Sequence, residues 1–231
     1  MRRYHEQLAR HENLRCLHRF LPQGLTDWLR LRRYRREYPH AVVTAGSRVE
    51  SGADIATGAI IRNSKVCRTV SIGRFTTLGE QCRLAGLGRI SIGQFCSIGP
   101  ECSIRSDNHK LNRLSTYPFN QIEEAGAGTE IDYDSDPVVI GNDVWLGEGV
   151  TVLPGARIAD GCVVAARTVV TRGEYPPFSI IAGVPGKVIR TRIPEDRIDA
   201  ILTDPWWDKP EDLIFGELLD ELVASIGSSE L

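Results

Sequence analysis

The chain has 231 residues, a formal net charge of −2, 42% hydrophobic and 25% charged side chains, which fits a soluble globular protein of one or two domains. No run approaches the roughly eighteen consecutive apolar residues of a membrane span, and Arg2 and Arg3 are followed by no apolar signal core. The balance of charge gives no reason to expect a nucleic-acid partner.

Residues 1–40 carry ten Arg and four acids, a surplus of +6 that leaves −8 for the remainder. The spacing of Leu8, Leu14, Leu17, Phe20, Leu21, Leu25, Trp28, Leu29 and Leu31 predicts helix over residues 3–38, broken at Pro22-Gln-Gly24. The Arg30–Arg36 cluster reads either as a weak contact of residues 1–40 with an anionic lipid or a charged glycan carrier, or as a solvated face packed on a neighbour. His5, His11 and His18 lack a ligand pattern and read as surface residues.

From Val43 an aliphatic residue recurs every sixth position: Val43, Val49, Ile55 and Ile61, then Val66, Ile72, Leu78 and Leu84 after one dropped residue. Two residues are added near Leu87-Gly88 before Ile92, Ile98 and Ile104. The series returns at Ile140, Leu146, Val152, Ile158, Val164 and Val170. A period of six matches neither a helix nor a free strand; it matches a chain wound as a triangular prism, about three hexads per coil. Four residues after the aliphatic comes a small slot, held by Ser47, Ala53, Ala59, Ala156 and Thr168 among others. Glycines such as Gly141, Gly147 and Gly161 are expected at corners for their backbone freedom. Roughly six coils at about 4.8 Å each make a prism about 29 Å tall.

Cys82, Cys96, Cys102 and Cys162 also take the small slot, and no Cys-x-x-Cys pair occurs. They read as core filler, with a reducing, cytoplasmic setting and no metal site. The fold expected is mainly β: a solenoid over residues 41–190, a helical extension over 1–40, an inserted loop over 110–137 and helices over 191–231. Such a long loop is usually functional. It holds Ser115-Thr-Tyr-Pro-Phe119 and the acids Glu123, Glu124, Glu130, Asp132, Asp134 and Asp136. That acidic alternation lacks the glycine and terminal glutamate of a calcium loop, so a solvated loop is the reading. Beyond Val170, a short helix is predicted over Pro194–Leu202 and another opening at Pro210. The second carries one apolar stripe through Leu213, Ile214, Leu218, Leu219, Leu222, Val223 and Ile226, covering the prism or a neighbour.

His109 is the only histidine after residue 40, at the mouth of the long loop. An imidazole there can take a proton from an attacking hydroxyl. Asp107-Asn-His109, Ser115-Thr-Tyr-Pro-Phe119, Ile140-Gly-Asn-Asp-Val-Trp-Leu-Gly147, Val152-Leu-Pro-Gly155, Ala182-Gly-Val-Pro-Gly-Lys187 and Trp206-Trp-Asp-Lys-Pro210 follow in order. Together, over about residues 90–215, they resemble the xenobiotic acetyltransferases, the group of streptogramin and hexapeptide-type chloramphenicol acetyltransferases. The resemblance implies a left-handed parallel β-helix, a homotrimer with active sites between subunits, and acetyl-CoA as donor.

By that resemblance His109 is the catalytic base and the backbone N–H of Glu148, after Gly147, faces the developing oxyanion. Trp145 walls the thioester pocket. Similarity to galactoside and maltose acetyltransferases places Ala166, Thr171 and Arg172 along the pantetheine and nucleotide path, and Lys187 and Arg190 near the CoA phosphates. Tyr117 and Asn108 are candidate acceptor contacts. Arg167 departs from the pattern, standing where relatives usually carry Gly or Asn. The expected activity is O-acetylation of a sugar hydroxyl in surface-polysaccharide or lipopolysaccharide assembly. The alternatives are an antibiotic acetyltransferase and a non-catalytic β-helix scaffold. A zinc hydratase on this fold needs three imidazoles on neighbouring coils, and the chain has one after residue 40.

Overall fold

The computed structural model describes residues 22–116 and 133–224. Its centre is a three-sided parallel β-solenoid. The first face stacks Val42–Val43, Ile60–Ile61, Thr77–Leu78, Ser97–Ile98, Trp145–Leu146, Val163–Val164 and Ser179–Ala182. The second stacks Arg48–Val49, Lys65–Val66, Arg83–Ala85, Ser103–Arg105, Thr151–Val152 and Val169–Val170. The third stacks Asp54–Ile55, Val70–Ile72, Ile90–Ile92, Val138–Ile140, Ala156–Ile158 and Gly173–Tyr175. The chain visits the faces in rotation, making six coils, as the hexad count requires.

The repeated aliphatics point inward and pair with their equivalents one coil away. Ile61, Leu78, Ile98, Leu146, Val164 and Ile181 form one such column, each in register with the next and all buried. No hexad can bury its aliphatic alone, so the stack is the stable unit. The small slot does more than fill space. Cys82 Sγ donates to Gly99 O at 3.1 Å, Cys96 Sγ to Gly141 O at 3.1 Å, Cys102 Sγ to Gly147 O at 3.2 Å and Thr76 Oγ1 to Gly93 O at 2.7 Å. Each acceptor is a corner carbonyl of the next coil. A short Ser, Thr or Cys therefore satisfies a backbone group that the ladder leaves unpaired.

The glycines divide into two kinds. Three residues past the inward aliphatic, most corners place one residue in the left-handed region, and Gly161 (φ 69°) shares that conformation with Phe75, Phe95, Asp143 and Arg167. One residue past the aliphatic the backbone angle is ordinary but the space is missing. A Cβ on Gly147 would lie 2.6 Å from Ala166 N, and one on Gly93 2.5 Å from Gly141 O. The expectation that Gly141 and Gly147 serve backbone angles is thus corrected: they allow coils to approach.

Both ends of the solenoid are covered. Helix α1 (Gln23–Glu37), starting just after Pro22 as the break predicts, lies across the first coil. Tyr34 Oη donates to Ser47 O (2.9 Å) and accepts from Val49 N–H (3.1 Å), so one buried phenol satisfies two groups of the open strand edge. At the far end Lys187–Thr191 folds back antiparallel on Ser179–Ala182. Helix α2 (Glu195–Thr203) and a 3₁₀ turn (Trp206–Asp208) follow. Arg74 holds that segment by donating to Trp207 O and Lys209 O, both at 2.6 Å. Phe95, stacked on Phe75 at 5.1 Å, receives Trp206 at 4.8 Å.

The single C-terminal stripe helix is not formed. It is split into α3 (Glu211–Ile214) and α4 (Leu219–Val223), with Gly216 in the break. Ile214 is buried while Leu219, Leu222 and Val223 remain exposed, and Ile226 lies outside the described residues. Glycine is a poor helix former, and here its absent Cβ would sit 2.5 Å from Asp212 O.

Candidate active site

His109 stands where the fourth coil leaves the edge between the second and third faces. Asp107–Asn108 pairs antiparallel with Asp134–Ser135, so the two ends of the long loop are tied at its root. The N–H of Asp136 donates to Ser106 O (3.0 Å), and Arg172 forms an ion pair with the Asp136 carboxylate, fixing the returning strand. Arg105 pairs with Asp107 at 2.7 Å. Asn108 Oδ1 accepts the His109 backbone N–H at 2.9 Å, which turns the chain so that the imidazole leaves the root of the loop.

The ring is held on two sides. Tyr133 meets it edge-on, with centroids 4.9 Å apart, and His109 Nδ1 lies 2.9 Å from Thr116 O. A carbonyl oxygen only accepts, so Nδ1 carries the hydrogen and the neutral ring keeps its free lone pair at Nε2. The ring borders a cleft of about 280 Å³ with Arg105, Asp107, Asn108, Tyr133, Leu153 and Pro154. Arg105 and Tyr133 were not singled out from the sequence. Arg105 flanks an inward aliphatic, which marks it as outward-facing, whereas nothing in the pattern points to Tyr133. Tyr117 lies outside the described residues.

The other predicted residues fall on different parts of the prism. Trp145 projects from the first face, 55% exposed, and Gly147, Glu148 and Ala166 form the edge between the first and second faces. Among the described residues, the Glu148 N–H donates to no backbone carbonyl. Arg167, at φ 61° in the corner position that suits Gly or Asn, crosses this edge to Glu148 at 2.5 Å and Glu101 at 3.3 Å. Lys187 and Arg190 sit on the terminal antiparallel strand beside the first face, and Arg190 Nη1 donates to Thr191 O at 3.0 Å. Thr171 and Arg172 share the His109 edge two coils on, and the Thr171 N–H donates to Tyr175 Oη at 3.2 Å.

One chain therefore does not assemble the whole set. From Gly149 to Pro154 the second face takes five residue steps, about 16 Å of extended chain. Reacting atoms must come within roughly 3–3.5 Å of each other. The imidazole and the Glu148 amide of a single chain thus stand at opposite edges of the second face.

Comparison with known proteins accords with this architecture. Residues 137–172 match the family model described as "Bacterial transferase hexapeptide (six repeats)". The chain is 36% identical over 132 residues to a "Probable macrolide acetyltransferase" of Lysinibacillus sphaericus, covering 54% of this chain and 70% of that one. It is 34% identical over 112 residues to a "Chloramphenicol acetyltransferase" of Morganella morganii, covering 47% of this chain and only 53% of that one. Over 57 residues, 25% of this chain and 29% of the other, it is 58% identical to a "Putative lipopolysaccharide biosynthesis O-acetyl transferase WbbJ" of Escherichia coli K12. The chain belongs to the hexapeptide-repeat acetyltransferases.

Proposed function

We propose that the protein transfers acetyl from acetyl-CoA to a hydroxyl of a sugar in surface-polysaccharide or lipopolysaccharide assembly, working as a homotrimer with sites between subunits. The observation that carries this reading is the contact of His109 Nδ1 with Thr116 O, which leaves Nε2 as the basic atom in a cleft. Nε2 takes the hydroxyl proton as the oxygen attacks the thioester carbon. The oxyanion is met by the Glu148 amide of a neighbouring copy. When the C–S bond breaks, the proton passes to the departing thiolate. General-base assistance of this kind is typically worth about 10²–10⁴-fold, and a preorganised amide at an oxyanion about 10²–10³-fold.

Trp145 walls the thioester, Lys187 and Arg190 meet the CoA phosphates, and Asn108 and Tyr117 touch the acceptor. The short, highly identical match to the lipopolysaccharide protein favours a sugar. The longer match to the macrolide enzyme favours a drug as the second reading. Thiol release from acetyl-CoA, measured against a panel of activated sugars, oligosaccharides and antibiotics, separates the two. His109→Ala is expected to lower turnover at least ~10²-fold with the oligomer intact. Undiminished turnover in that variant removes the base, and turnover confined to antibiotics reverses the order of the readings.

A further inference from the structure

The outward side of the second face carries a column of cations. Arg48, Lys65 and Arg83 occupy one register on three successive coils, about 4.8 Å apart, and all are exposed. Like charges directly opposite on neighbouring strands repel. Among the described residues, none of the three has a carboxylate within ion-pair distance. Helix α1 roofs the column, enclosing an open cleft of about 970 Å³ that Arg30 and Arg33 also line. Asp27 neutralises Arg30 at 3.0 Å, and Glu37 lies 3.5 Å from Arg33 Nε, which is nonetheless buried without a hydrogen bond among the described residues. Glu50, the one acid lining the cleft among the described residues, accepts the Arg68 N–H at 3.1 Å. Among the described residues, the column's charge is therefore open to a ligand.

The cleft leads toward His109 on the same face. Ala85, at its margin, is the register partner of Arg105, which lines the imidazole cleft. The cationic column thus begins about three strand spacings, ~14 Å, from the Arg105 coil and ends one spacing short of it. We propose that the acceptor is a glycan linked to a phosphate or diphosphate, whose anionic group binds Arg48, Lys65 and Arg83 while its hydroxyl reaches His109. Guanidinium forks and an ammonium along ~10 Å suit two adjacent phosphates. This rests on the O-acetyltransferase reading for the hydroxyl, while the anion site stands on its own geometry.

The first measurement needs no acceptor. Inorganic pyrophosphate is titrated calorimetrically into the full chain and into the Lys65→Gln/Arg83→Gln variant, both substitutions lying on exposed positions. Binding is expected to weaken tenfold or more in the variant, roughly the loss of one charge-assisted hydrogen bond, and to weaken with salt in the parent. No binding, or equal affinity in the two proteins, overturns the site.

The second measurement compares one sugar free, as a nucleoside diphosphate in solution, and as a polyprenyl diphosphate in phosphatidylcholine vesicles. The variant is expected to raise KM about tenfold for the diphosphate forms, with kcat and the free sugar unaffected. The diphosphate form with the lower KM identifies the carrier. A KM change shared by the free sugar overturns the assignment. If none of the sugars is acetylated, the O-acetyltransferase reading fails while the pyrophosphate titration still decides the cleft.

Discussion

Two variants that are each inactive are expected to make an active enzyme when assembled together. His109→Ala removes the base from the edge between the second and third faces. Trp145→Ala with Lys187→Glu disables the first face, at positions exposed enough to leave the solenoid intact. The second face, about 16 Å of extended chain, lies between these groups, so in the proposed homotrimer every site draws its base from one copy and its donor wall from another. In trimers formed from equal amounts of the two variants, a site is whole when the copy giving the imidazole is the wall-deficient one and its neighbour the base-deficient one. Random assembly makes that combination at about a quarter of sites. Co-refolding tagged chains and measuring thiol release should therefore recover about 25% of parental turnover, against at most ~1% for the base-deficient parent alone. Recovery that never exceeds the average of the two parents would refute the division of the site between copies. So would full activity in either variant.

Three further outcomes concern the scaffold. Among the described residues, Thr168 Oγ1 is buried without a partner, because the chain leaves the solenoid at Ala182 for the hairpin instead of supplying the next corner carbonyl. Thr168→Val should stabilise by about 1 kcal/mol, a rise in Tm of about 2–4 °C for a chain this size; a fall in Tm would refute the unsatisfied hydroxyl. Burial raises the Asp143 carboxyl above its ordinary value, and Arg192, ion-paired with it, opposes that rise. A raised acid favours folding below the unfolded carboxylate pKa of about 3.9 and loses that advantage as pH climbs through the folded value. Arg192→Gln removes the opposing charge, so its deficit in urea unfolding should be about 1–3 kcal/mol at pH 7.5 and smaller near pH 4; a deficit independent of pH would sink the argument. Burial also pushes the Cys96 thiol up to about 12 and the Cys162 thiol to about 11. Neither should react with a disulfide reagent until denaturant is added, and rapid native labelling would contradict the packing.

The hexads were legible because each inward side chain has one job, to stack on its equivalent, and a fixed period reports that job directly. The coil count and the misfit corners at Ile61–Val66 and Leu84–Ile92 could be read the same way. What the small slot does could not. A Cys at position 82 and an Ala at position 59 look alike as compact residues, and only the neighbouring coil shows that the thiol has a carbonyl to reach. The C-terminal stripe misled because helical spacing says which residues could share a face, not whether Gly216 lets the helix continue. His109 was legible as a lone imidazole at a loop mouth. Its orientation depends on Thr116 and Tyr133, loop positions that no periodicity constrains.

The arrangement along the prism also orders the two substrates. The residues proposed for CoA, from Trp145 to Arg190, belong to the fifth coil and beyond. The cationic column belongs to the first three coils, and His109 leaves the fourth. A donor running from the C-terminal end and an acceptor running from the N-terminal end meet at the one coil whose corner is opened by a long loop. On a scaffold whose coils are otherwise near repeats, that loop breaks the symmetry between the two directions. Helix α1 then does two things at once: its tyrosines close the open edge of the first coil, and its body roofs the cleft where an anionic acceptor would begin. A truncation that removes α1 would expose that strand edge together with the cleft, so it would confound folding with binding. Substitutions on the exposed cation column separate them.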